Sequence, residues 1–235
     1  MGRTRNSVGY ILTRWSLGLV FRVVWRPKVT GLENIPAEGA VILASNHLSF
    51  SDSVVIPLVV PRRVRFLAKA EYFEGHGLRG RAVAAFFRFV DAVPVNRESQ
   101  RDSMASLELA MGVLRNGHAF GIYPEGTRSR DGRLYRGRNG VGWLAMESGA
   151  PVVPVAVQGT DKVQPVGSNM PRPHPVTVSF GPAVDPTPWI EAVRAHGGAG
   201  RARREITDQV MERIGAMSPQ PRADCYNERP SDDED

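Results

Sequence analysis

The sequence predicts an α/β fold with a mixed, largely parallel central sheet that is flanked by helices. Two observations support this prediction. Short apolar runs of strand length alternate along the chain with longer segments whose apolar residues recur at helical spacing. In addition, the chain has 235 residues, of which 42% are hydrophobic, so it can bury the core of one sizeable domain. We expect that domain to span residues 28–217.

The predicted strands are short apolar runs bounded by turn residues. Residues 40–45 form the clearest run, with the length of a buried strand. Pro94 places its run at an edge of the sheet or at the start of a strand, because proline cannot donate to the hydrogen-bond ladder. In chain order, the predicted strands are residues 28–31, 40–45, 64–68, 92–97, 119–123, 152–157 and 176–180.

The predicted helices lie between these strands and after the last one. Residues 102–115 form the clearest helix, since apolar side chains recur on one face and an Asn-Gly pair follows. Those side chains are Met104, Leu107, Met111 and Leu114. Residues 51–60 are apolar enough to begin a helix or to form a buried segment. The other predicted helices are residues 78–89, 140–148, 189–196 and 201–217.

The N-terminal segment, residues 1–27, is apolar, aromatic and basic. Arg14 and Arg22 interrupt it, which disfavours a membrane span, and it lacks the cleavage site of a secretory signal. Its tryptophans, Trp15 and Trp25, together with long arginine side chains, predict an amphipathic helix in a membrane interface. An amphipathic helix packed on the domain's own core remains an equal alternative.

The C-terminal segment, residues 218–235, is polar, proline-rich and acidic, so we expect a disordered acidic tail. Residues 224–235 carry a net charge of −5. Since the net charge of the whole chain is +6, residues 1–223 carry +11. The positive charge of residues 1–223 favours anionic partners, namely nucleic acid, an anionic membrane or phosphorylated small substrates. The single cysteine, Cys225, excludes an internal disulfide and indicates a reducing compartment.

A candidate catalytic pair follows the strand at residues 40–45. His47 precedes Asp52 by five residues at a predicted strand-to-helix junction, where active-site groups of α/β sheets collect. An imidazole there can accept a proton from a substrate hydroxyl, and a carboxylate on its other nitrogen fixes the tautomer. The alternative is structural, since Ser49 to Asp52 also fits a helix-capping box.

A second candidate site is the segment Tyr123-Pro-Glu-Gly-Thr-Arg-Ser129, which follows another predicted strand. Gly126 allows backbone N–H groups to approach a ligand, Thr127 offers a hydroxyl, and Arg128 can bind phosphate through two donors. Arg97, also just past a strand, offers a second guanidinium to the same pocket. A local ion pair between Glu125 and Arg128 is the alternative interpretation.

Four blocks in order resemble the glycerolipid acyltransferase family, which acylates lysophosphatidic acid and related lysophospholipids. The blocks are Asn46-His47 with Asp52, residues 93–97, residues 123–129 and Val153-Pro154-Val155. The resemblance implies that His47 and Asp52 form a catalytic dyad. It further implies that the phosphate-bearing head of the acceptor is bound by Arg97, Glu125, Gly126, Thr127 and Arg128, and that Lys69 is an additional basic residue of the site.

The resemblance also implies a reaction. An acyl group would pass from a coenzyme A or acyl-carrier-protein thioester to the free hydroxyl of a lysophospholipid, such as 1-acylglycerol-3-phosphate, to give phosphatidic acid. The donor is a co-substrate, and neither a cofactor nor a metal is expected, since the histidines and acids show no ligand spacing. We expect a peripheral protein that docks on an anionic membrane at the cytoplasmic face of the cell membrane.

Other classes of protein explain fewer of these features. A non-catalytic lipid-binding or membrane-tethering protein would use the same basic, aromatic N-terminus but has no need of His47. A nucleic-acid-binding protein would explain the basic charge, yet no recognition motif is present and the basic residues are interleaved with aromatic residues. A covalent hydrolase would need a Gly-x-Ser-x-Gly turn, which the sequence lacks.

Overall fold

A computed structural model describes residues 23–75, 77–89, 92–95, 100–168 and 170–228. Seven strands lie in this part of the chain: β1 Lys28–Thr30, β2 Val41–Ser45, β3 Val64–Lys69, β4 Val93–Val95, β5 Ala119–Ile122, β6 Val152–Gln158 and β7 Thr177–Phe180. They form one sheet in the order β1-β7-β6-β2-β5-β3-β4.

Helices connect and cover the strands. They are α1 Asp52–Val59, α2 Gly77–Phe89, α3 Gln100–Arg115, α4 Gly140–Ser148, α5 Thr160–Val163, α6 Thr187–His196 and α7 Ala199–Met217. The alternation of strand and helix through most of the chain is the one that the apolar runs predict.

The sheet is mixed and largely parallel, as predicted. β6, β2, β5, β3 and β4 run in one direction. β7 is antiparallel to β6, and β1 is parallel to β7. Among the described residues β4 pairs with β3 alone and ends the sheet, so the prediction of an edge position from Pro94 is confirmed.

The core lies on both faces of the sheet. Along β2 the side chains alternate between the faces, and Val41, Ile42, Leu43 and Ala44 are all fully buried. Ile42 packs in the cluster beneath α3, α4 and α7, together with Phe120, Leu144, Ile206 and Ile214. Leu43 packs in the opposite cluster, together with Ile56, Val153, Val178 and Phe180. β2 is therefore a fixed central strand, and the residues that follow it have a rigid base.

The C-terminal segment corrects one prediction. We predicted disorder from residue 218 onward, but residues 218–228, here called the C-terminal strap, pair with the loop that follows β5. Leu134 N donates to Pro221 O at 2.9 Å, and Ala223 N donates to Leu134 O at 2.9 Å. Composition misleads here, because backbone hydrogen bonds rather than apolar side chains order the strap. Residues 229–235 lie outside the described residues.

The N-terminal segment is described only from residue 23, so the predicted interface helix lies almost entirely outside the described residues. Trp25 packs against the core cluster that contains Leu43, and its Nε1 donates to Arg172 O at 3.0 Å. This end of the segment thus belongs to the body of the domain. In the described part of the chain, no helix combines the length and the apolar character that a bilayer span requires.

Candidate active site

The candidate site lies where β2 and β5 end. The two strands are parallel neighbours, with Ala44 beside Ile122, so the segments that follow them leave the same edge of the sheet. Ser129 N donates to His47 O at 2.8 Å and joins these segments directly. The two motifs that sequence analysis selected separately therefore form one site.

His47 and Asp52 are in hydrogen-bond contact. The distance from His47 Nδ1 to Asp52 Oδ2 is 2.9 Å, and Asp52 is fully buried. The same carboxylate oxygen accepts the N–H groups of Leu48 at 2.7 Å and Ser49 at 2.9 Å. Asp52 thus ties down the turn before α1 and also contacts the imidazole. Since Nδ1 is engaged with Asp52, proton exchange with a substrate would use Nε2 of His47.

The orientation of the imidazole is fixed by a further contact that the sequence analysis missed. The ring of His47 stacks on the ring of Tyr123, with centroids 3.8 Å apart and an interplanar angle of 9°. The hydroxyl of Tyr123 is in turn 2.8 Å from Ser53 Oγ. An aromatic residue directly after β5 was the available signal. The stacking holds His47 in one plane, which a positioned base requires.

Glu125 contacts the segment that carries His47. It is fully buried, its Oε1 accepts His47 N at 3.0 Å, and its Oε2 accepts Tyr135 N at 2.9 Å. Both oxygens are thus used by backbone donors, and neither is paired with the guanidinium of Arg128. These contacts fix the position of the Glu125 carboxylate, and its predicted role in head-group binding stays a prediction.

Burial raises the pKa of Glu125 from its usual 4.5 to about 7. The hydrogen bonds from Tyr135 and His47 lower this pKa, and the charges of Asp52 and Asp131 raise it. The folded protein therefore holds this proton more tightly than the unfolded chain does. The resulting stabilisation is complete below the unfolded pKa and is lost as the pH rises through 7.

We expect Glu125→Gln to reduce the pH dependence of stability. In the wild type, the contribution of Glu125 should fall by about 3 kcal/mol as the pH rises from about 5 to about 8. The amide nitrogen cannot accept a hydrogen bond, so the variant should be less stable than the wild type at about pH 5, by about 1–3 kcal/mol, and this difference should shrink as the pH rises. Urea unfolding across this pH range measures both effects. An unchanged pH slope in the variant would show that Glu125 does not titrate there.

The segment after Glu125 forms the proposed anion loop. Gly126 has φ +83°, a left-handed conformation that favours glycine. Thr127 and Arg128 are partly buried, and Arg128 O accepts Asn227 Nδ2 at 3.0 Å. The loop therefore has a fixed backbone close to the dyad.

The structure locates the two remaining predicted site residues only in part. Lys69 is the last residue of β3, the strand next to β5, but its side chain is not described. Arg97 lies outside the described residues. Their predicted roles in head-group binding stay predictions.

Residues 26–158 match the family model described as Acyltransferase, and this range contains the dyad, the loop and all four blocks. The chain belongs to this acyltransferase family. A chloroplastic 1-acyl-sn-glycerol-3-phosphate acyltransferase of Brassica napus is 32% identical over 71% of this chain and 47% of its own length. The Bacillus subtilis enzyme of the same name is 32% identical over 56% of this chain and 62% of its own length. The chain thus spans between about half and three fifths of these curated relatives.

A solved structure shows the same fold. The crystal structure of the 1-acyl-sn-glycerophosphate (LPA) acyltransferase PlsC from Thermotoga maritima matches with a TM-score of 0.64 at 23% identity. The match covers 93% of this chain and 86% of that one. The mixed sheet with flanking helices is therefore an acyltransferase fold.

Asn46 anchors the segment that carries His47 in this acyltransferase-family chain to β6. It is fully buried, its Oδ1 accepts Val157 N at 2.7 Å, and its Nδ2 donates to Val157 O at 2.9 Å. The side chain thus pairs with β6 as a strand backbone would. Asn46 Nδ2 also contacts Gln220 Oε1 of the C-terminal strap at 2.6 Å. His47 is thereby fixed from two distant parts of the chain.

The described residues contain no group of three or more His, Cys, Asp or Glu side chains that could hold a metal ion. The chemistry that the described groups themselves offer is proton transfer at His47 and anion binding at the loop.

Proposed function

We propose that the protein is an O-acyltransferase that moves a fatty acyl group from an acyl thioester to the free hydroxyl of a lysophospholipid. The acceptor we propose is 1-acylglycerol-3-phosphate, which would give phosphatidic acid. One observation carries the proposal: the His47–Asp52 pair is hydrogen-bonded to the segment that contains Gly126, Thr127 and Arg128. The proposed base for the hydroxyl and the proposed cation for the phosphate thus belong to segments that contact each other, which supports the proposal. The names of the curated relatives support the same acceptor.

The mechanism is a direct transfer. His47 Nε2 takes the proton of the acceptor hydroxyl as that oxygen attacks the thioester carbonyl. Asp52 holds the imidazole in the required tautomer and stabilises the imidazolium that forms. When the tetrahedral intermediate collapses, the carbon–sulfur bond breaks and the imidazolium returns its proton to the thiolate. A positioned base of this kind contributes roughly 10²–10⁴ in rate.

The acceptor's phosphate is assigned to the loop that begins at Gly126. Arg128 offers a planar pair of donors, and Thr127 adds a hydroxyl. Arg97 and Lys69 are proposed to add positive charge from the neighbouring strand ends. The donor is proposed to be a coenzyme A or acyl-carrier-protein thioester, which is consumed as a co-substrate.

We propose that the protein docks on the cytoplasmic face of the cell membrane. A lysophospholipid tail of about fifteen methylenes would cost roughly 12 kcal/mol to withdraw fully into water, so the enzyme must meet its acceptor at the bilayer surface. Residues 1–22 contain four basic residues and the aromatic residues Tyr10, Trp15 and Phe21, which suit an anionic interface. Trp25 is excluded from this group because it packs on the core.

Deleting residues 1–22 should therefore reduce binding to anionic vesicles and activity on a vesicle-embedded acceptor. Activity on a short-chain, soluble acceptor should be spared, since the described body retains the dyad and the loop. Co-sedimentation with vesicles and transfer assays on both acceptors measure these effects. Unchanged co-sedimentation would place the docking surface elsewhere, first on the helix Gly77–Phe89.

A panel assay tests the proposed function. Purified protein is incubated with lysophospholipids of different head groups and with both classes of acyl thioester, and the products are identified by lipid mass spectrometry. We expect phosphatidic acid from the acceptor that carries a phosphate monoester. Lipid binding without any acylated product would instead indicate a non-catalytic lipid-binding or membrane-tethering protein.

A further inference from the structure

A second arginine lies against the anion loop. A Cβ placed on Gly126 would be 3.1 Å from both Cδ and Nε of Arg138, so the arginine side chain covers this glycine. The backbone of Arg138 is fixed to the same loop, since its N–H donates to Pro124 O at 2.8 Å. Neither contact was predicted, because Arg138 lies twelve positions after Gly126.

The C-terminal strap holds the guanidinium of Arg138 in place. One of its terminal nitrogens donates to Asn227 O at 3.0 Å, and its Cζ lies 5.5 Å from the centroid of the Tyr226 ring. Asn227 also donates through Nδ2 to Arg128 O. One strap residue therefore contacts both Arg128 and Arg138 and sets their relative position.

The charge of Arg138 is exposed and is not neutralised within the described part of the chain. Neighbouring arginines are paired, Arg133 with Asp131 and Arg204 with Asp208, whereas no described carboxylate forms an ion pair with Arg138. The contacts with Asn227 and Tyr226 hold the guanidinium in place but do not neutralise its charge. They prepare a donor for an anion, since the side chain is already ordered before the anion arrives.

We propose that Arg138 is a further phosphate-binding residue of the acceptor site and that it acts with Arg128 on the same head group. This assignment rests on the proposed function. A phosphate monoester has three terminal oxygens, so two guanidinium groups can each bind without competing for one oxygen. The strap, which lies outside the range matched by the family model, contributes to substrate selection by holding Arg138.

Calorimetric binding tests the assignment without requiring turnover. The probes are a short-chain, soluble lysophosphatidate and the monoacylglycerol of equal chain length, which lacks the phosphate. Arg138→Ala should weaken binding of the lysophosphatidate by roughly 10- to 100-fold and leave binding of the monoacylglycerol unchanged. Arg138→Lys should recover only part of the loss, because a point charge replaces a planar fork.

Arg136→Ala is the matched control. Arg136 is exposed, and its Cζ also lies 5.5 Å from the centroid of the Tyr226 ring, but its guanidinium has no hydrogen bond to the strap and no contact with Gly126. We expect the affinity of the Arg136→Ala variant for the lysophosphatidate to stay within about twofold of the wild type. Thermal unfolding of each variant verifies that the fold is retained.

The outcomes separate this assignment from the proposed function. Wild-type affinity in Arg138→Ala would overturn the assignment alone, as would equal losses in Arg138→Ala and Arg136→Ala, which would indicate general electrostatic attraction. A loss that also affects the monoacylglycerol would show a structural role and would overturn it too. If the wild type bound neither probe, the proposed function and the assignment would both be wrong.

Discussion

Replacing His47 with alanine should lower the rate of acyl transfer by at least about 10²-fold, because the variant has no group to take the hydroxyl proton. Affinity for the acceptor should be largely retained, since the phosphate is assigned to the loop that begins at Gly126. The transfer rate at saturating substrate and the calorimetric affinity for a short-chain lysophosphatidate measure the two effects separately. Near-normal turnover in His47→Ala would end the dyad hypothesis.

Asp52→Asn also tests the dyad, but its effect on the transfer rate is combined with an effect on stability. Asp52 Oδ2 accepts the N–H groups of Leu48 and Ser49 as well as contacting the imidazole, so the substitution also disturbs the turn before α1. Leaving a buried backbone donor without its acceptor costs about 1–3 kcal/mol. The free energy of unfolding must therefore be measured beside the rate.

Replacing Arg128 with alanine is expected to give the second-largest effect. Removing a charge-assisted contact to phosphate should lower kcat/KM for the acceptor by roughly 10- to 100-fold, while the KM for the acyl donor stays unchanged. Arg128→Lys should recover part of this loss, since lysine keeps the charge but cannot make the paired contact. The backbone contact from Asn227 to Arg128 O is retained in both variants, so the loop should keep its position.

The comparison of acceptor and donor constants decides the assignment of Arg128. A monoacylglycerol serves as the control acceptor, because it lacks the phosphate that Arg128 is proposed to bind. If Arg128→Ala raised only the constant for the donor, Arg128 would belong to the donor site instead.

Local features of the site were predictable from the sequence. His47 and Asp52 are five positions apart across the turn between β2 and α1, so a contact between them could be expected from their spacing. Gly126 adopts a left-handed backbone, which glycine allows without steric cost. The order of strands and helices follows from apolar runs whose length and periodicity are read directly from the chain.

Long-range contacts were not predictable in the same way. Glu125 contacts His47 N from 78 residues away, and Asn46 pairs with β6 from 111 residues away. Neither spacing nor periodicity encodes such pairs, since the sheet order brings them together. The disorder predicted for the strap was wrong over residues 218–228 for a related reason. Its order comes from backbone pairing with a loop that composition cannot identify.

The fate of a labelled acyl group tests the central claim most directly. The wild-type protein is mixed with an acyl thioester whose acyl carbon is labelled, with and without lysophosphatidate, and the label is followed in the lipid and on the intact protein. A direct transfer that is activated by His47 predicts labelled phosphatidic acid when the acceptor is present and no label on the protein in either mixture. Label bound covalently to the protein, or label that stays on the thioester when lysophosphatidate is present, would contradict the account.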